Sequence, residues 1–467
     1  MMKEKTIAAM TAVLMSFLVS GAAGLDYATP ESQGVASAAI QRWIEACEQN
    51  AALNGYVHGF VIVRHGKIIA EGSWAPQRTL DRPHKLCSHS KSFTSTAIGF
   101  LVDDGKLDLD ERVIDILPDK APAEPGENLR RLRVRDLLTM NTGASCTDAQ
   151  TKNVRGDWAK TLLANGFERS PGTIFKYDSG ATYLLAEIAE RKSGRRLMDF
   201  LKERLFDPLE MKSPRFTFSP SGVSCGGWGM YMTTRDLARF GQFLLQGGTW
   251  NGEHLLSEEW VTLASSRQTW SGDINVAKKA VDSGGDWNQG YGFQFWRCRP
   301  RGVYRADGAG GQFTVVFPHE DAVVSVHAGL GNVQQELNFI WDLLLPAFGN
   351  SALAENPIPV AALKAKCASL ALPLTDPTPA VFEGMDKAKC SPTEDGWCLR
   401  LGDRTLAVGK GKWLVTQWKY SEDLVEPLFF DCGTHEIAAA GQLENGSLRV
   451  SWQMLGGYRH GSFSVGL

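Results

Sequence analysis

Strand-forming sequence stands on both sides of a long helical stretch, and this order constrains the fold more than any other feature. Residues 59–74 hold two apolar, β-branched runs about His65 and Gly66, which predicts a hairpin. Helical patterns dominate from about residue 110 to about residue 270. Strand patterns then return in YGFQFWRC, GVYRADG, QFTVVFP and DAVVSVHAG, before the amphipathic run NVQQELNFIWDLLLPAF. We therefore expect an α+β fold: an antiparallel sheet completed by distant parts of the chain, flanked by helices and carrying an all-helical insertion.

Two further segments follow this domain. Residues 351–380 are rich in Pro and Ala, which is typical of a linker with room for one short helix. Beyond them, hairpin patterns separated by Gly turns predict a small β-rich module over residues 381–467. The main domain is therefore expected to cover residues 25–350.

The N-terminus has the layout of a secretory signal. A charged start, MMKEK, precedes an apolar run and a group of small residues that suits signal peptidase. We expect residues 1–24 to be a signal peptide and the mature protein to be exported, either periplasmic or secreted. An uncleaved membrane anchor is disfavoured, because the run is short and ends in small residues. No later segment is apolar for long enough to span a bilayer.

Charge and cysteine usage exclude several classes of protein. The formal net charge is -3 with both signs mixed along the chain, so neither nucleic acid nor an anionic membrane is an expected partner. All nine cysteines follow the predicted signal peptide, where disulfides can form, and the odd count leaves at least one thiol unpaired. Because no C-x-x-C pair or histidine cluster occurs, we predict no metal and no cofactor. The disulfide pairing and the oligomeric state are left open.

The strongest chemical signal is the pair Ser88 and Lys91 at the start of a predicted helix over residues 89–104. A serine hydroxyl needs a base within hydrogen-bond reach, and residues three apart on a helix share one face. The following segment, SFTSTAIGF, is too apolar and too rich in small residues for an exposed helix. Lys91 is therefore expected to line a buried surface or a cleft. The alternative is two polar residues at an ordinary helix start, since S-x-x-K alone is a weak pattern.

In this context the segment resembles the nucleophile helix of the serine β-lactamase and penicillin-binding-protein superfamily, nearest to its class C β-lactamase-related branch. The resemblance covers about residues 30–350. It implies a β-lactamase/transpeptidase-like fold in which Ser88 is the nucleophile and Lys91 its base.

The same family carries a second element, Tyr-x-Asn or Tyr-x-Ser, which Tyr177-Asp178-Ser179 matches. The match implies that Tyr177 is a proton shuttle and that Ser179 hydrogen-bonds Lys91 or the substrate. Ser179 is also suited to be the N-cap of the helix that follows it.

The family's third element, Lys-Thr-Gly, has no intact counterpart. Ala306-Asp307-Gly308 stands in its place, ahead of a glycine-rich turn that includes Gly310. The resemblance implies that Gly308 lets substrate lie against the strand, and that the backbone N–H groups of Ala309 and Ser88 form an oxyanion hole. By its composition the run is also consistent with a plain turn.

The loss of the third-element lysine bears on the substrate. Family members with that lysine use it to hold a substrate carboxylate, whereas Asp307 is expected to repel an anion. Branches with such variants resemble esterases and amide hydrolases such as the 6-aminohexanoate-dimer hydrolases. Efficient β-lactam turnover is therefore not expected.

Other residues near these motifs are assigned no chemistry. The run Gly222–Gly226 satisfies G-x-S-x-G, but it lacks the strand and the helix that a nucleophile elbow requires on its two sides. The glycine-rich CGGWG that begins at Cys225 is expected to shape the cleft wall. His84 and His89 are expected to be exposed polar residues, and Cys87 a small packing residue.

Together these observations predict an exported serine hydrolase that cleaves small-molecule esters or amides through an acyl-enzyme on Ser88. Two alternatives stay open. One is a true β-lactamase or D-amino-acid peptidase of the same fold, and the other is a non-catalytic penicillin-binding or sensor protein.

Overall fold

A computed structural model describes residues 24–49, 51–144, 156–271, 285–419 and 434–467. Apart from Gly24, the predicted signal peptide lies outside these residues. No helix within the described ranges is long and apolar enough to cross a membrane.

The strands form one large sheet, a second sheet near the C-terminus and two small ones. In chain order the strands are β1 (Asp26–Tyr27), β2 (Gly55–Arg64), β3 (Lys67–Ser73), β4 (His84–Lys85), β5 (Arg215–Phe216), β6 (Met230–Met232), β7 (Thr249–Trp250), β8 (Glu253–His254), β9 (Trp296–Arg297), β10 (Tyr304–Gly308), β11 (Gln312–Phe317), β12 (Ala322–Leu330), β13 (Lys389–Thr393), β14 (Gly396–Leu401), β15 (Arg404–Lys410), β16 (Leu414–Lys419), β17 (Thr434–Glu444), β18 (Ser447–Leu455) and β19 (His460–Gly466).

The helices group mainly between β4 and β9 and at the two ends of the main domain. They are α1 (Ser37–Gln49), α2 (Ser90–Asp103), α3 (Val113–Ile116), α4 (Glu127–Arg131), α5 (Val134–Leu138), α6 (Trp158–Ala164), α7 (Ser179–Ser193), α8 (Leu197–Leu201), α9 (Thr234–Leu245), α10 (Glu258–Ser265), α11 (Val333–Phe339) and α12 (Pro357–Ala368). A π-helical segment, Ile340–Leu344, continues α11.

The large sheet has the strand order β1-β3-β2-β12-β11-β10-β9. It is antiparallel except at its edge, where β1 pairs with β3 in parallel. Strand β2 pairs with β12, with Val61 opposite Ser325, so distant parts of the chain complete the sheet as predicted. The β2–β3 hairpin turns at His65 and Gly66, which both have positive φ. The expected α+β fold is confirmed.

Helices cover both faces of this sheet. Residues of α1 such as Trp43 pack with Phe60 on one face, in a core that includes the π-helical Ile340. On the other face α9 lies so close that a Cβ on Gly241 would come within 2.4 Å of Val323 Cγ1. Helices α2 to α8 and α10 form a second core beside α9. The site described below lies where this helical half meets β10.

Helix α2 confirms both the predicted helix and its predicted burial. Every residue from Ser90 to Leu101 is buried, so the helix has no exposed polar face. A short 3-10 turn, Cys87–His89, leads into it, and Ser88 therefore precedes the α-helix rather than lying on its first turn. The helix ends at Asp103, two residues before the predicted stop Gly105, whose φ of 65° suits a glycine.

The C-terminal sheet has the order β13-β14-β15-β17-β18-β19, and β16 also pairs with β17. Its side chains form a separate core that includes Trp397, Leu406 and Phe463. Helix α12 lies in the segment expected to be a linker, and its Leu363 joins the core of the main domain. The β18–β19 turn reaches the main domain, where Lys85 N donates to Gly456 O at 2.9 Å.

Candidate active site

The turn that carries Ser88 is fixed by hydrogen bonds on both sides of it. Leu86 N donates to Met230 O at 2.9 Å, and Ser90 Oγ donates to Cys87 O at 2.7 Å. Cys87 has a φ of 50°, a left-handed conformation that costs a residue with a side chain on the order of 1–2 kcal/mol. The surrounding bonds hold this strained turn, which leaves the Ser88 side chain half-buried at the cleft.

Lys91 Nζ lies in the middle of the candidate site. It contacts Ser88 Oγ at 3.0 Å, Ser179 Oγ at 3.0 Å and Gly227 O at 2.6 Å, and the side chain is only 1% exposed. An ammonium can donate to all three oxygens. A neutral amine can donate to two of them and accept the Ser88 hydroxyl proton with its lone pair. The geometry therefore suits transfer of a proton between Ser88 and Lys91.

Ser179 is available to Lys91 because another residue caps the helix. The N-cap of α7 is Asp178, whose carboxylate accepts from Gly180 N at 2.8 Å. Ser179 is the first residue of the helix, so the alternative of Ser179 as the N-cap was wrong by one position. Its hydroxyl faces Lys91 instead.

Tyr177 lies against the same amine. Its ring centroid is 5.0 Å from Lys91 Nζ, and the ring stacks on Trp296 with centroids 5.6 Å apart. The Tyr291 ring meets it edge-on at 6.2 Å. This aromatic shelf, defined here as Tyr177, Tyr291 and Trp296, was not predicted, although YGFQFW shows an unusual density of aromatic residues.

Asp307 has a partner that the sequence analysis missed. Arg305 Nε donates to Asp307 Oδ2 at 2.8 Å, and the Arg305 side chain is fully buried. Burial raises the pKa of Asp307, while the Arg305 charge opposes that rise. Because an arginine compensates this carboxylate, the expectation that Asp307 repels anionic substrates needs correction. The cleft gains neither a free anion nor the family's lysine at this position.

The end of β10 runs beside the Ser88 turn. A Cβ on Gly308 would lie 2.1 Å from Leu86 O, so only glycine permits this approach. Ala309 follows and is exposed at the cleft. Gln312, fully buried, donates from Nε2 to Ala309 O at 3.2 Å and to Ala328 O at 2.6 Å. Gln312 thus holds the peptide that directly follows the predicted oxyanion donor, a role that no sequence motif indicated.

The neighbouring histidines are buried, not exposed as expected, and Cys87 is buried as a packing residue should be. His84 hydrogen-bonds His58 at 3.0 Å, and His89 stacks on Phe93. Burial lowers the pKa of His89 to about 3 and raises the pKa of Cys87 to about 11. At neutral pH the His89 ring is therefore uncharged and Cys87 is a thiol rather than the thiolate that a cysteine nucleophile requires.

The G-x-S-x-G run is not a nucleophile elbow. Ser224 is fully buried and donates to Glu190 Oε1 at 2.7 Å. The glycine-rich stretch after it does more than shape the cleft, because the Gly227 carbonyl accepts from Lys91. A backbone oxygen carries no sequence signature, so only the density of glycines hinted at this close approach.

The described residues hold no group of three or more His, Cys, Asp or Glu side chains arranged to bind a metal ion. The seven cysteines among them are all free thiols, and Cys146 and Cys432 lie outside the described residues.

Comparisons with known proteins assign this geometry to a family. A sequence model of the Beta-lactamase family matches residues 40–336, more than half of the chain, so the chain belongs to that family. The 6-aminohexanoate-dimer hydrolase of Paenarthrobacter ureafaciens is 27% identical over 285 residues, which cover 57% of this chain and 70% of that protein. Penicillin-binding protein 4 of Amycolatopsis lactamdurans is 28% identical over 315 residues, which cover 60% of this chain and 80% of that protein.

A solved structure extends the likeness in fold to the C-terminal sheet. The octameric penicillin-binding protein homologue from Pyrococcus abyssi matches with a TM-score of 0.50 and 15% identity over 91% of this chain and 95% of that one. The resemblance inferred from the sequence is thus confirmed. The protein is a serine hydrolase of the β-lactamase fold.

The Arg305–Asp307 pair yields a stability prediction. Arg305→Met leaves a buried carboxylate without its cation, and we expect the free energy of unfolding to fall by about 3–5 kcal/mol at neutral pH. Burial raises the folded-state pKa of Asp307 above its unfolded value. The destabilisation caused by Arg305→Met therefore shrinks as the pH falls through the folded-state pKa of Asp307, because the buried carboxyl becomes neutral. Chemical denaturation at neutral and acidic pH measures the effect.

The matched control is an exposed ion pair. Lys202 contacts Asp207, and both side chains are more than half exposed (56% and 58%). Lys202→Met should leave the free energy of unfolding nearly unchanged. Equal effects of the two substitutions would contradict the assignment of Arg305 as the essential partner of Asp307.

Proposed function

We propose that this protein is an exported hydrolase that cleaves ester or short amide bonds through an acyl-enzyme on Ser88. The observation that carries the proposal is the buried Lys91 amine within 3.0 Å of the Ser88 hydroxyl. A serine with a desolvated amine in hydrogen-bond contact has the base that it needs to become a nucleophile.

The acylation step follows from these contacts. Ser88 Oγ attacks the carbonyl carbon of the substrate while its proton passes to Lys91 Nζ, and the carbonyl oxygen takes the electron pair. The backbone N–H groups of Ser88 and Ala309 stabilise that oxyanion. Tyr177, beside Lys91, gives a proton to the departing alcohol or amine as the C–O or C–N bond breaks, and it regains a proton from Lys91.

Water completes the cycle. It attacks the acyl-enzyme carbonyl, and the same base group accepts a proton from the water. The ester bond to Ser88 breaks, the acid product leaves, and the Ser88 hydroxyl recovers its proton. Ser179 and Gly227 hold the amine in place through both halves of the reaction.

Several observations favour esters or short amides over β-lactams. Ala306 stands at the position of the family's carboxylate-binding lysine, and the next residue, Asp307, is already paired with Arg305. One relative is named as a hydrolase of the 6-aminohexanoate dimer. The similarity to a penicillin-binding protein keeps β-lactam turnover, D-amino-acid peptidase activity, or acylation without turnover as second candidates.

Covalent labelling tests the proposed nucleophile. Intact mass spectrometry after treatment with a fluorophosphonate should show one adduct on the wild type and none on Ser88→Ala, because the Ser88 hydroxyl is half-buried at the cleft and in contact with the Lys91 amine. Ser224→Ala, the matched control in the G-x-S-x-G run, should label like the wild type. A label that survives Ser88→Ala would remove Ser88 from the mechanism.

Turnover assays then separate the candidate functions. We expect steady hydrolysis of p-nitrophenyl esters and little hydrolysis of a chromogenic cephalosporin. Faster turnover of the cephalosporin would favour the β-lactamase alternative. Stable penicillin labelling without hydrolysis of any ester or amide would favour the sensor alternative.

We also propose that the protein is exported, on the strength of its N-terminal sequence alone. Expression of the full chain with a C-terminal tag in a bacterial host should yield a periplasmic or secreted product whose N-terminus lies close to Leu25. Fractionation and N-terminal sequencing measure this. A cytosolic product that still begins at Met1 would contradict it.

A further inference from the structure

The cleft beside Ser88 is bounded at one end by the aromatic shelf. Strand β9 pairs with Tyr304 and Arg305 of β10, with Trp296 opposite Arg305. Among the strands that the structure describes, β9 is the only one on this side of β10. The edge of β10 is thus covered by β9 as far as Arg305, where Tyr177 stacks on Trp296.

The other end of the cleft is bounded by the C-terminal sheet. Gly310, one residue past Ala309, lies so close to the β18–β19 turn that a Cβ on it would be 3.0 Å from Tyr458 Cβ and 3.3 Å from Tyr458 Cγ. Lys85, three residues before Ser88, donates its N–H to Gly456 O at 2.9 Å. The turn therefore contacts both backbone segments that carry the proposed oxyanion donors.

This turn is held firmly in place. Gly456 N donates to Gln77 Oε1 at 3.1 Å, and Gln77 Nε2 donates back to Met454 O at 3.2 Å. Just beyond the turn, His460 Nε2 contacts Gly329 O at 3.0 Å, and its Nδ1 contacts Asp376 at 2.6 Å. Fixed polar contacts on both sides of Tyr458 mean that its position is set by the fold.

The open edge between these two boundaries is short. It runs from Ala306 to Ala309, and at about 3.3 Å per residue it spans roughly 10 Å. In the proposed mechanism the leaving group lies on the side of Tyr177, which protonates it. With the leaving group on that side, the acyl group would extend along β10 toward Gly310, the residue against which the Tyr458 side chain packs.

We propose that Tyr458 of the C-terminal sheet closes the acyl end of the cleft and restricts substrates to esters and amides of short acyl groups. This inference rests on the proposed function and adds the substrate class. A long acyl chain has to displace a side chain seated on Gly310, whereas an acetyl group ends before reaching it. The C-terminal sheet thereby acts as a specificity element for the hydrolase domain.

A series of p-nitrophenyl esters tests the proposal, since the leaving group stays constant while the acyl chain grows from acetate to octanoate. Wild type should prefer acetate. Tyr458→Ala should raise the octanoate-to-acetate ratio of kcat/KM about tenfold or more, because each methylene admitted to an apolar space changes discrimination severalfold. Tyr458→Phe should leave the ratio unchanged, since the ring rather than the hydroxyl blocks the cleft. Tyr458→Trp should lower it.

Tyr56→Ala is the matched control. The Tyr56 ring contacts His460 of the same C-terminal sheet at 5.3 Å, so its removal weakens the contact between the sheet and the main domain without opening the cleft. The ratio should stay at the wild-type value. A Tyr458→Ala enzyme that acylates Ser88 but keeps the wild-type ratio, or a Tyr56→Ala enzyme that gains octanoate equally, would overturn the proposal. If the fluorophosphonate does not label Ser88 in the wild type, the proposed function is refuted instead.

Discussion

The contact of one buried lysine amine with three oxygens is the constraint on which the rest of the site depends. Removing an ammonium from water costs several kcal/mol unless each of its protons finds an acceptor. Lys91 finds them in Ser88, Ser179 and Gly227, which belong to three separate parts of the chain. The 3-10 turn, the start of α7 and the glycine-rich loop must therefore converge within hydrogen-bond distance, and helix α2 must be buried on all sides to bring them together.

The charged side chains of β10 beside the cleft are also paired with one another. Arg305 and Asp307 neutralise one another on either side of Ala306, the residue that stands where the family carries a lysine, so this part of the strand presents no free charge. An uncharged edge does not select for a substrate carboxylate, which agrees with neutral esters and amides as substrates. The aromatic shelf at one end and Tyr458 at the other add apolar boundaries, so shape discriminates where charge does not.

Much of this arrangement is predictable from local patterns. The β2–β3 hairpin, helix α2 and the Ser88–Lys91 pair each depend on residues close together in the chain. The order of strand and helix patterns also predicts that distant parts of the chain complete the sheet, but not which strands pair. The N-cap of α7 was misassigned by one residue, because Asp178 and Ser179 are both good capping residues and adjacent.

The remaining parts of the site depend on contacts between distant segments. The Gly227 carbonyl belongs to the backbone and is therefore invisible to a motif. Arg305 and Gln312 are polar residues within strands whose other residues are mostly apolar, and no motif marks them. Their partners become visible only in the tertiary structure. His84 and His89 were expected to be exposed because histidine usually is at such positions, whereas the packing of β4 and α2 buries both.

The central claim, that Lys91 acts as a base and not merely as a positive charge, is tested most directly by the rate at which Ser88 of Lys91→Arg is acylated. Arginine keeps the charge and can donate to the same oxygens, but its guanidinium does not give up a proton in proteins. Time-resolved mass spectrometry with an activated ester should therefore show acylation at least about a hundredfold slower than in wild type. Near-normal acylation in a folded Lys91→Arg protein would contradict the account.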